Sequence, residues 1–248
     1  MRSDLFDISE RLYVPIEQIA MPSDISIFGT SFGESSYYSD YAGIGKKYAP
    51  QRVLEIGVRF GYSGIAITSG ALVGGAKPPV TYVGLDAEQF SGHTREQGSG
   101  DYRSNAVAAE NFRRFRPGVE ATFFTCDTRN GLPEDVLAQK FDLINVDGDH
   151  SYEGAYGDLC RVWPLLNPGG IIIVDDLGMV DVKRAVDQFR DEHTVDLEGF
   201  QIYPNERTFA IFKRWDGPKA TVVEPEPSSA PEVAPATFRK PRGRPRKR

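Results

Sequence analysis

The sequence predicts an α/β fold built on a doubly wound, mostly parallel sheet with helices on both faces. Short runs rich in β-branched residues alternate along the chain with longer segments of helical character. Several of these runs are almost continuously apolar, as expected of parallel strands that helices cover on both faces. Acidic residues follow several of the runs, and open α/β sheets bind their ligands at the carboxyl ends of the strands.

The pattern defines the strands and helices in order. Strands are predicted to begin at Arg52, Val80, Ala121, Phe141, Gly169 and Thr208. Helices are predicted for residues 63–72, 105–115, 152–166 and 180–192, which gives alternating strands and helices. Residues 1–49 are expected to form one or two helices and a loop rich in Ser, Tyr and Gly (GTSFGESSYYSDYAGIG). This loop either covers the site or simply connects elements.

The composition is that of a globular chain. Its 248 residues allow one or two domains. No apolar run approaches the ~20 residues needed to span a bilayer, and the first residues are acidic where a secretory signal would be basic. Cys126 and Cys160 lie in apolar, core-like segments and are expected to be reduced thiols. We therefore expect no membrane partner and a cytoplasmic location, with a nuclear or nucleoid-associated location as the alternative because of the basic C-terminal residues.

The C-terminal segment differs from the rest of the chain. Residues 216–248 hold seven of the 17 prolines and a single aromatic residue, too little apolar surface to offset the entropy of ordering them. The last ten residues contain five Arg, two Lys and no acid, whereas 22 basic residues face 35 acidic ones in the remainder. Binding of nucleic acid is therefore expected of residues 239–248 alone. The predicted domains are 1–49, 50–215 and 216–248.

The segment VLEIGVRFGYSG places a glycine turn between a strand and a helix. Gly57 and Gly61 permit a positive φ and close approach of the backbone to a ligand, and the following helix begins with free N–H groups. The dinucleotide fingerprint G-x-G-x-x-G would have a glycine at the place of Arg59. The turn therefore predicts a nucleotide-like ligand without a pyrophosphate.

Acids at the ends of the next two strands complete this candidate site. Asp86 ends the second strand, where a carboxylate can accept both hydroxyls of a ribose, and Asp127 ends the third strand, near the expected adenine ring. Each acid could instead cap the helix that follows it. Their recurrence at successive strand ends favours ligand binding.

With these residues, the chain resembles the class I S-adenosylmethionine-dependent methyltransferases over about residues 50–215. Their first motif, E-x-G-x-x-x-G, is matched by Glu55, Gly57 and Gly61, and the resemblance implies that these residues bind the cofactor together with Asp86 and Asp127. It also implies a Rossmann-like sheet of seven strands. The last of them, TFAIFKR, would be antiparallel and would lie beside the fifth.

Further acids follow the fourth and fifth strands, in the segments DGDHSYEG and PGGIIIVDD. Converging carboxylates repel unless a cation or a proton neutralises them, and hard oxygen ligands suit Mg²⁺, Mn²⁺ or Ca²⁺. We predict Asp147, Asp175 and Asp176 as ligands, in similarity to metal-dependent O-methyltransferases of small molecules, while metal dependence itself stays open. His150 stands where catechol-type members have a lysine, and it is predicted to be the catalytic base beside Asp147. The alternatives are a structural role for His150, and Asp149 as the residue that orients it.

The sequence thus predicts an S-adenosylmethionine-dependent enzyme that methylates a hydroxyl of a small molecule, by resemblance a sugar or macrolide-like hydroxyl. Two alternatives remain. One is a same-fold transferase of another group, such as aminopropyl. The other is a DNA-associated protein, because KPRGRPRKR looks like an AT-hook that lies in the minor groove of A·T-rich DNA. The polar segment 92–104 is expected to be a lid or a solvated loop, and the oligomeric state, a homo-oligomer included, is left open.

Overall fold

The computed structural model describes residues 12, 14–15, 35–88, 104–203 and 209–217. All of them belong to the first of two units, Met1–Pro218 and Lys219–Arg248. The expected lid up to residue 103, the Pro-rich spacer beyond residue 217 and the basic tail lie outside the described residues. Within the described part of the chain, no helix has both the length and the apolar character needed to cross a bilayer.

Strands and helices alternate along the described chain. The strands are β1 (Arg52–Ile56), β2 (Val80–Asp86), β3 (Val119–Thr125), β4 (Phe141–Val146), β5 (Leu166–Val174), β6 (Leu197–Tyr203) and β7 (Phe209–Arg214). The helices are α1 (Ser35–Tyr48), α2 (Tyr62–Val73), α3 (Ser104–Phe115), α4 (Glu134–Leu137), α5 (Tyr152–Val162) and α6 (Val180–Glu192). Short 3₁₀ turns cover Thr128–Asn130 and Trp163–Leu165.

The seven strands form one sheet in the order β3-β2-β1-β4-β5-β7-β6. Strands β1 to β5 pair in parallel, whereas β7 is antiparallel to both of its neighbours, β5 and β6. This arrangement confirms the predicted fold, including the place of the last strand beside the fifth. Because the strand order reverses between β1 and β4, a crevice is expected at the carboxyl ends of these two strands.

Two hydrophobic layers cover the two faces of the sheet. Successive residues of a strand point to opposite faces. In β1, Val53 accordingly joins the layer that includes α1 and α2, and Leu54 joins the layer that includes α5 and α6. In β5, Ile172 and Ile173 divide between the same two layers. Both faces of the parallel strands are therefore buried, which explains their almost continuous apolar runs.

The N-terminal region is the main departure from the sequence prediction. From Ser35 onward the expected loop is wrong, because the chain forms α1. Tyr37, Tyr41 and Ile44 recur at helical spacing and are buried. A Cβ at Gly45 would lie 2.1 Å from the carbonyl oxygen of Ile67 in α2, so the two helices approach closely. This packing outweighs the modest helix propensity of a segment rich in Ser, Tyr and Gly.

Three smaller expectations also need correction. The helix predicted for 152–166 ends at Val162, because Pro164 lies in a 3₁₀ turn and Leu166 already begins β5. The edge strand β6 was not predicted, since Glu198, Gly199 and Gln201 interrupt its apolar pattern. Both cysteines are free thiols, but Cys160 is exposed rather than in the core. It follows the buried Leu159 in α5, and one residue along a helix turns a side chain by about 100°.

Candidate active site

The turn between β1 and α2 is held against both neighbouring strands. Gly57 and Gly61 have φ values of +85° and +79°. The N–H of Gly57 donates to the carbonyl of Leu85, and that of Asp147 donates to the carbonyl of Ile56. A Cβ at Gly57 would lie only 1.8 Å from the carbonyl oxygen of Asp147. A side chain is therefore excluded at Gly57 by both its backbone conformation and its neighbours.

Asp86 faces this turn from the end of β2. Its Oδ2 accepts the N–H of Arg59 at 2.7 Å, and its Oδ1 accepts the N–H of Glu88 at 2.7 Å. Arg59 adopts a left-handed conformation with φ +50°, a strained state that is typical of ligand sites. Because a carboxylate oxygen can accept more than one hydrogen bond, Asp86 is fixed in orientation and still has acceptor capacity.

Glu55 lies beneath the turn, with 0% of its surface exposed. Its carboxylate accepts hydrogen bonds from Ser63 Oγ at 2.5 Å, from Asn145 Nδ2 at 2.8 Å and from the Tyr82 hydroxyl. Burial raises the pKa of Glu55 to about 7, although these three hydrogen bonds act in the opposite direction. The structure thus places Glu55 where it ties the first turn of α2 to β2 and β4, not at an exposed surface of the crevice.

Asp127 has a partner in its own loop. Its carboxylate accepts from the N–H, Nε and Nη2 of Arg129, at 3.1, 2.9 and 2.7 Å. These hydrogen bonds hold the pKa of Asp127 below its usual value. Asp127 also caps the 3₁₀ turn Thr128–Asn130, which is the structural role that the sequence left open for it. A ligand that contacts this carboxylate therefore has to share it with Arg129.

Three side chains meet at the carboxyl ends of β4 and β5. His150 Nε2 lies 3.4 Å from Oδ1 of Asp147 and 3.3 Å from Oδ2 of Asp176. One ligand atom of each residue lies within 4.8 Å of those of the other two. The side chains of both acids are 20% exposed and that of His150 is 37% exposed, so the group is reachable from solvent. We call these three residues the transfer cluster.

The two carboxylates of the transfer cluster influence each other and the imidazole between them. Burial, followed by the nearby charge of Asp175, raises the pKa of Asp147 well above its usual range. The hydrogen bond with Asp147 raises the pKa of His150. Asp176 adopts a left-handed backbone with φ +55°. An arrangement of this kind favours the uptake of a proton or a cation.

The two remaining acids that follow β4 and β5 have partners outside the transfer cluster. Asp175 is buried, with Oδ2 accepting the Tyr37 hydroxyl and Oδ1 accepting the N–H of Asp176 at 2.7 Å. Asp149 Oδ1 accepts the N–H of Ser151 at 2.9 Å, and the hydrogen bonds of the described residues include none between Asp149 and His150. The structure therefore separates Asp175 from the predicted ligand trio. Sequence reasoning missed Tyr37, which lies 138 residues away from Asp175 along the chain.

A sheet of this order, with a glycine turn and an acid held opposite it at the carboxyl ends of the strands, is the arrangement that the resemblance to the methyltransferases implied. A family model described as "Methyltransferase domain" matches residues 54–177, which is half of the chain. The chain belongs to this Methyltransferase domain family, which confirms the predicted class of enzyme.

Individual proteins resemble parts of the chain. A segment of 89 residues is 34% identical to mycinamicin III 3''-O-methyltransferase of Micromonospora griseorubida, covering 36% of this chain and 31% of that protein. SAH-bound methyltransferase PaMTH1 of Podospora anserina has a TM-score of 0.51 at 21% identity, over 74% of this chain and 80% of its own. O-methyltransferase TomG of Streptomyces achromogenes, in complex with SAM, has a TM-score of 0.51 at 15% identity. The similarity covers 74% of this chain and 82% of the TomG chain. At these identities the structural similarities establish the fold.

Proposed function

We propose that the protein transfers a methyl group from S-adenosylmethionine to a hydroxyl of a small molecule. The observation that carries the proposal is the turn after β1, where two glycines with positive φ stand opposite Asp86, whose carboxylate two backbone amides hold in place. Membership in the Methyltransferase domain family and the cofactor-bound structures of similar fold support it.

The residues of the turn fit an adenosine-type cofactor. Helix α2 begins after Gly61, which makes no side-chain capping hydrogen bond, and the N-terminus of a helix is a favourable place for a polar ligand. We propose that Asp86 binds the ribose hydroxyls and that Asp127, shared with Arg129, lies near the adenine. Glu55 contributes by fixing the turn from below. The bound cofactor supplies an electrophilic methyl group.

The transfer cluster fits the activation of the acceptor. His150 would accept the proton of the acceptor hydroxyl, and the carboxylates of Asp147 and Asp176 would stabilise the imidazolium that forms. The partial similarity to mycinamicin III 3''-O-methyltransferase supports a sugar or macrolide-like hydroxyl as the acceptor. Positioning and exclusion of water by the crevice complete what an in-line displacement needs.

The same cluster fits a divalent cation such as Mg²⁺, because carboxylate oxygens suit hard cations and the like charges need neutralising. We propose Asp147 and Asp176 as its carboxylate ligands. A cation bound there would polarise the acceptor hydroxyl. Asp175, the third predicted ligand, is engaged by Tyr37 and Asp176 in the described structure.

Calorimetric titration with S-adenosylhomocysteine tests the cofactor. We expect one site in the wild type and about 100-fold weaker binding in Asp86→Asn, because charged hydrogen bonds of a bidentate contact are lost. Asp142→Asn is the matched control. Asp142 also accepts two backbone N–H groups, from Gln51 and Arg52, but at the opposite edge of the sheet, so its variant should bind as the wild type does. No binding by the wild type would refute the proposal.

A second function rests on the basic tail. We propose that residues 239–248 bind the minor groove of A·T-rich DNA, supported by their seven basic residues and the RGRP core. Binding of the full chain to A·T-rich duplex should be tighter than to G·C-rich duplex, should weaken steeply with salt and should disappear in a chain that ends at residue 238. Equal affinity for both duplexes would contradict the AT-hook interpretation.

A further inference from the structure

Glu88 follows Asp86 by two residues and links the end of β2 to two other elements. Its Oε1 accepts the N–H of Asn105, in the first turn of α3, at 3.1 Å. Its Oε2 accepts the hydroxyl of Thr125, the last residue of β3, at 3.0 Å. The Asn105 side chain also donates to the Thr125 hydroxyl at 3.2 Å. Both oxygens of the Glu88 carboxylate are therefore engaged by elements that lie further along the chain.

The backbone of Glu88 adopts a left-handed conformation, with φ +52°. For a residue with a Cβ this conformation is unfavourable, and it persists only where surrounding contacts hold it in place. The two side-chain hydrogen bonds of Glu88 supply such contacts. With the backbone in this conformation, the N–H of Glu88 donates to Oδ1 of Asp86 at 2.7 Å. The side-chain contacts of Glu88 therefore help to set the direction of a hydrogen bond that orients Asp86.

Helix α3 also supports the glycine turn after β1. Asn111 Nδ2, in this helix, donates to the carbonyl of Phe60 at 3.0 Å. A Cβ at Gly61 would lie 3.1 Å from the Cβ of Ala108, so the turn and the helix are in close contact. One helix therefore contacts both sides of the ribose site proposed above, the turn directly and the acidic side through Glu88.

We propose that Glu88 is a positioning residue of the cofactor site, which fixes Asp86 in the orientation that accepts the ribose hydroxyls. The inference rests on the cofactor site proposed above. Glu88 is not part of the motifs from which the sequence predicts this site. It acts on the ligand through the backbone N–H that it directs to Asp86. Loss of its side chain should therefore weaken cofactor binding only when the carboxylate of Asp86 is present.

Calorimetric titration of the full-length protein with S-adenosylhomocysteine tests this assignment. In Glu88→Ala the left-handed backbone loses its side-chain contacts, so we expect about 10-fold weaker binding. Glu88→Gln retains the length of the side chain and an acceptor oxygen, and it should bind within about three-fold of the wild type. Asp86→Ala lacks the acceptor of the Glu88 N–H, so adding Glu88→Ala to it should change the affinity by less than about two-fold. Loss of packing alone would not produce this non-additivity.

Asp142→Ala is the matched control, because Asp142 also accepts hydrogen bonds from backbone and side-chain groups of other elements, but at the opposite edge of the sheet. Its affinity for S-adenosylhomocysteine should stay within about two-fold of the wild type. A comparable loss in Asp142→Ala and Glu88→Ala would attribute the effect to general destabilisation and overturn the inference.

The remaining outcomes separate the inference from the proposed function. A wild type that does not bind S-adenosylhomocysteine, or an Asp86→Ala variant that binds it as tightly as the wild type, refutes the proposed cofactor site and this inference with it. If Asp86→Ala weakens binding and Glu88→Ala does not, the inference alone is refuted. An equal loss from Glu88→Ala with and without the Asp86 carboxylate would show that Glu88 acts independently of Asp86, which also overturns it.

Discussion

Two groups of acidic residues at the carboxyl ends of the strands have different kinds of partner. At the turn after β1, which we propose to bind the cofactor and call the cofactor end, Glu55 and Asp86 accept hydrogen bonds from hydroxyl, amide and backbone N–H groups. At the transfer end, Asp147 and Asp176 face each other across a single imidazole. The acids of the first end are therefore held by hydrogen bonds from the protein, although burial still raises the pKa of Glu55. At the second end, burial and the charge of Asp175 raise the pKa of Asp147.

This difference indicates that the cofactor end is preformed for binding and that the transfer end is suited to chemistry. A preformed cofactor end needs no reorganisation when the ligand enters, which favours affinity. At the transfer end, burial and Asp175 disfavour the ionised form of Asp147, and carboxylates with a raised pKa of this kind cluster at functional sites. Substitution of a turn glycine at the cofactor end should thus destabilise the protein, whereas neutralising a carboxyl with a raised pKa, at either end, should remove a cost that appears at high pH.

The largest effect is expected from Gly57→Ala at the cofactor end. Its Cβ would collide with the carbonyl oxygen of Asp147 at 1.8 Å, and its φ of +85° adds strain. We expect a loss of about 4 kcal/mol in the free energy of unfolding, measured with urea. Gly131→Ala is the control, since φ is +108° there but nothing lies within 4 Å, so a loss of about 2 kcal/mol is expected. Equal losses in both variants would mean that the backbone around Gly57 shifts enough to accommodate the added Cβ.

Glu55 should make stability depend on pH. Because its folded-state pKa is raised to about 7, its stabilising contribution is complete below the unfolded pKa and is lost as the pH rises towards 7. The rise corresponds to about 3 kcal/mol. Urea unfolding of Glu55→Gln should therefore show a stability that, relative to the wild type, increases by about this amount between pH 4.5 and pH 8. A constant difference across this range would show that folding does not raise the pKa of Glu55.

Much of the fold was predictable, because strands buried on both faces must be apolar throughout. Helix α6 has the predicted bounds, Val180–Glu192, and the strand at Phe209 lies where the resemblance placed it. Helix α1 was not predictable from its composition. Tyr37, Tyr41 and Ile44 do recur at helical spacing, but the Ser, Tyr and Gly residues around them favour a loop. The close approach of Gly45 to Ile67, which stabilises the helix, is a tertiary contact that the sequence does not show.

The candidate site shows the same division. The sequence places acids at strand ends, and strand ends of a parallel sheet share one edge, so the juxtaposition of Asp147 and Asp176 could be predicted. The partners of each acid could not. Asp175 and Asp176 are neighbours in sequence, yet a hydroxyl from α1 engages the first and His150 lies beside the second. Such partners depend on tertiary contacts between distant segments.

At the transfer end, Asp147→Asn should increase the free energy of unfolding, whereas loss of a buried polar group usually decreases it. Because burial and Asp175 disfavour the ionised Asp147, its removal should stabilise the protein by about 1 kcal/mol at pH 8. The same variant should bind Mn²⁺ at least about 30-fold more weakly. Asp187→Asn is the control, since this exposed acid pairs with Lys183 and Arg190, and its change should remain within about 0.5 kcal/mol. Destabilisation by Asp147→Asn would remove the contrast between the two ends.

The smallest effect concerns the proton on His150. The hydrogen bond with Asp147 raises the pKa of His150 above 6.5, with burial opposing it, so Asp147→Asn should lower this pKa. An NMR titration of the imidazole resonance follows the change directly. Asp149→Asn distinguishes the two candidate orienting residues, because Asp149 accepts the N–H of Ser151 and should leave the pKa of His150 in place. If Asp149→Asn lowers the pKa of His150 and Asp147→Asn does not, Asp149 is the residue that orients the base, and Asp147 does not belong in the transfer cluster. If only Asp147→Asn lowers the pKa of His150, the carboxylate of Asp147 stabilises the protonated imidazole. The same carboxylate would bind the cation, so protonation of His150 and cation binding would compete for Asp147.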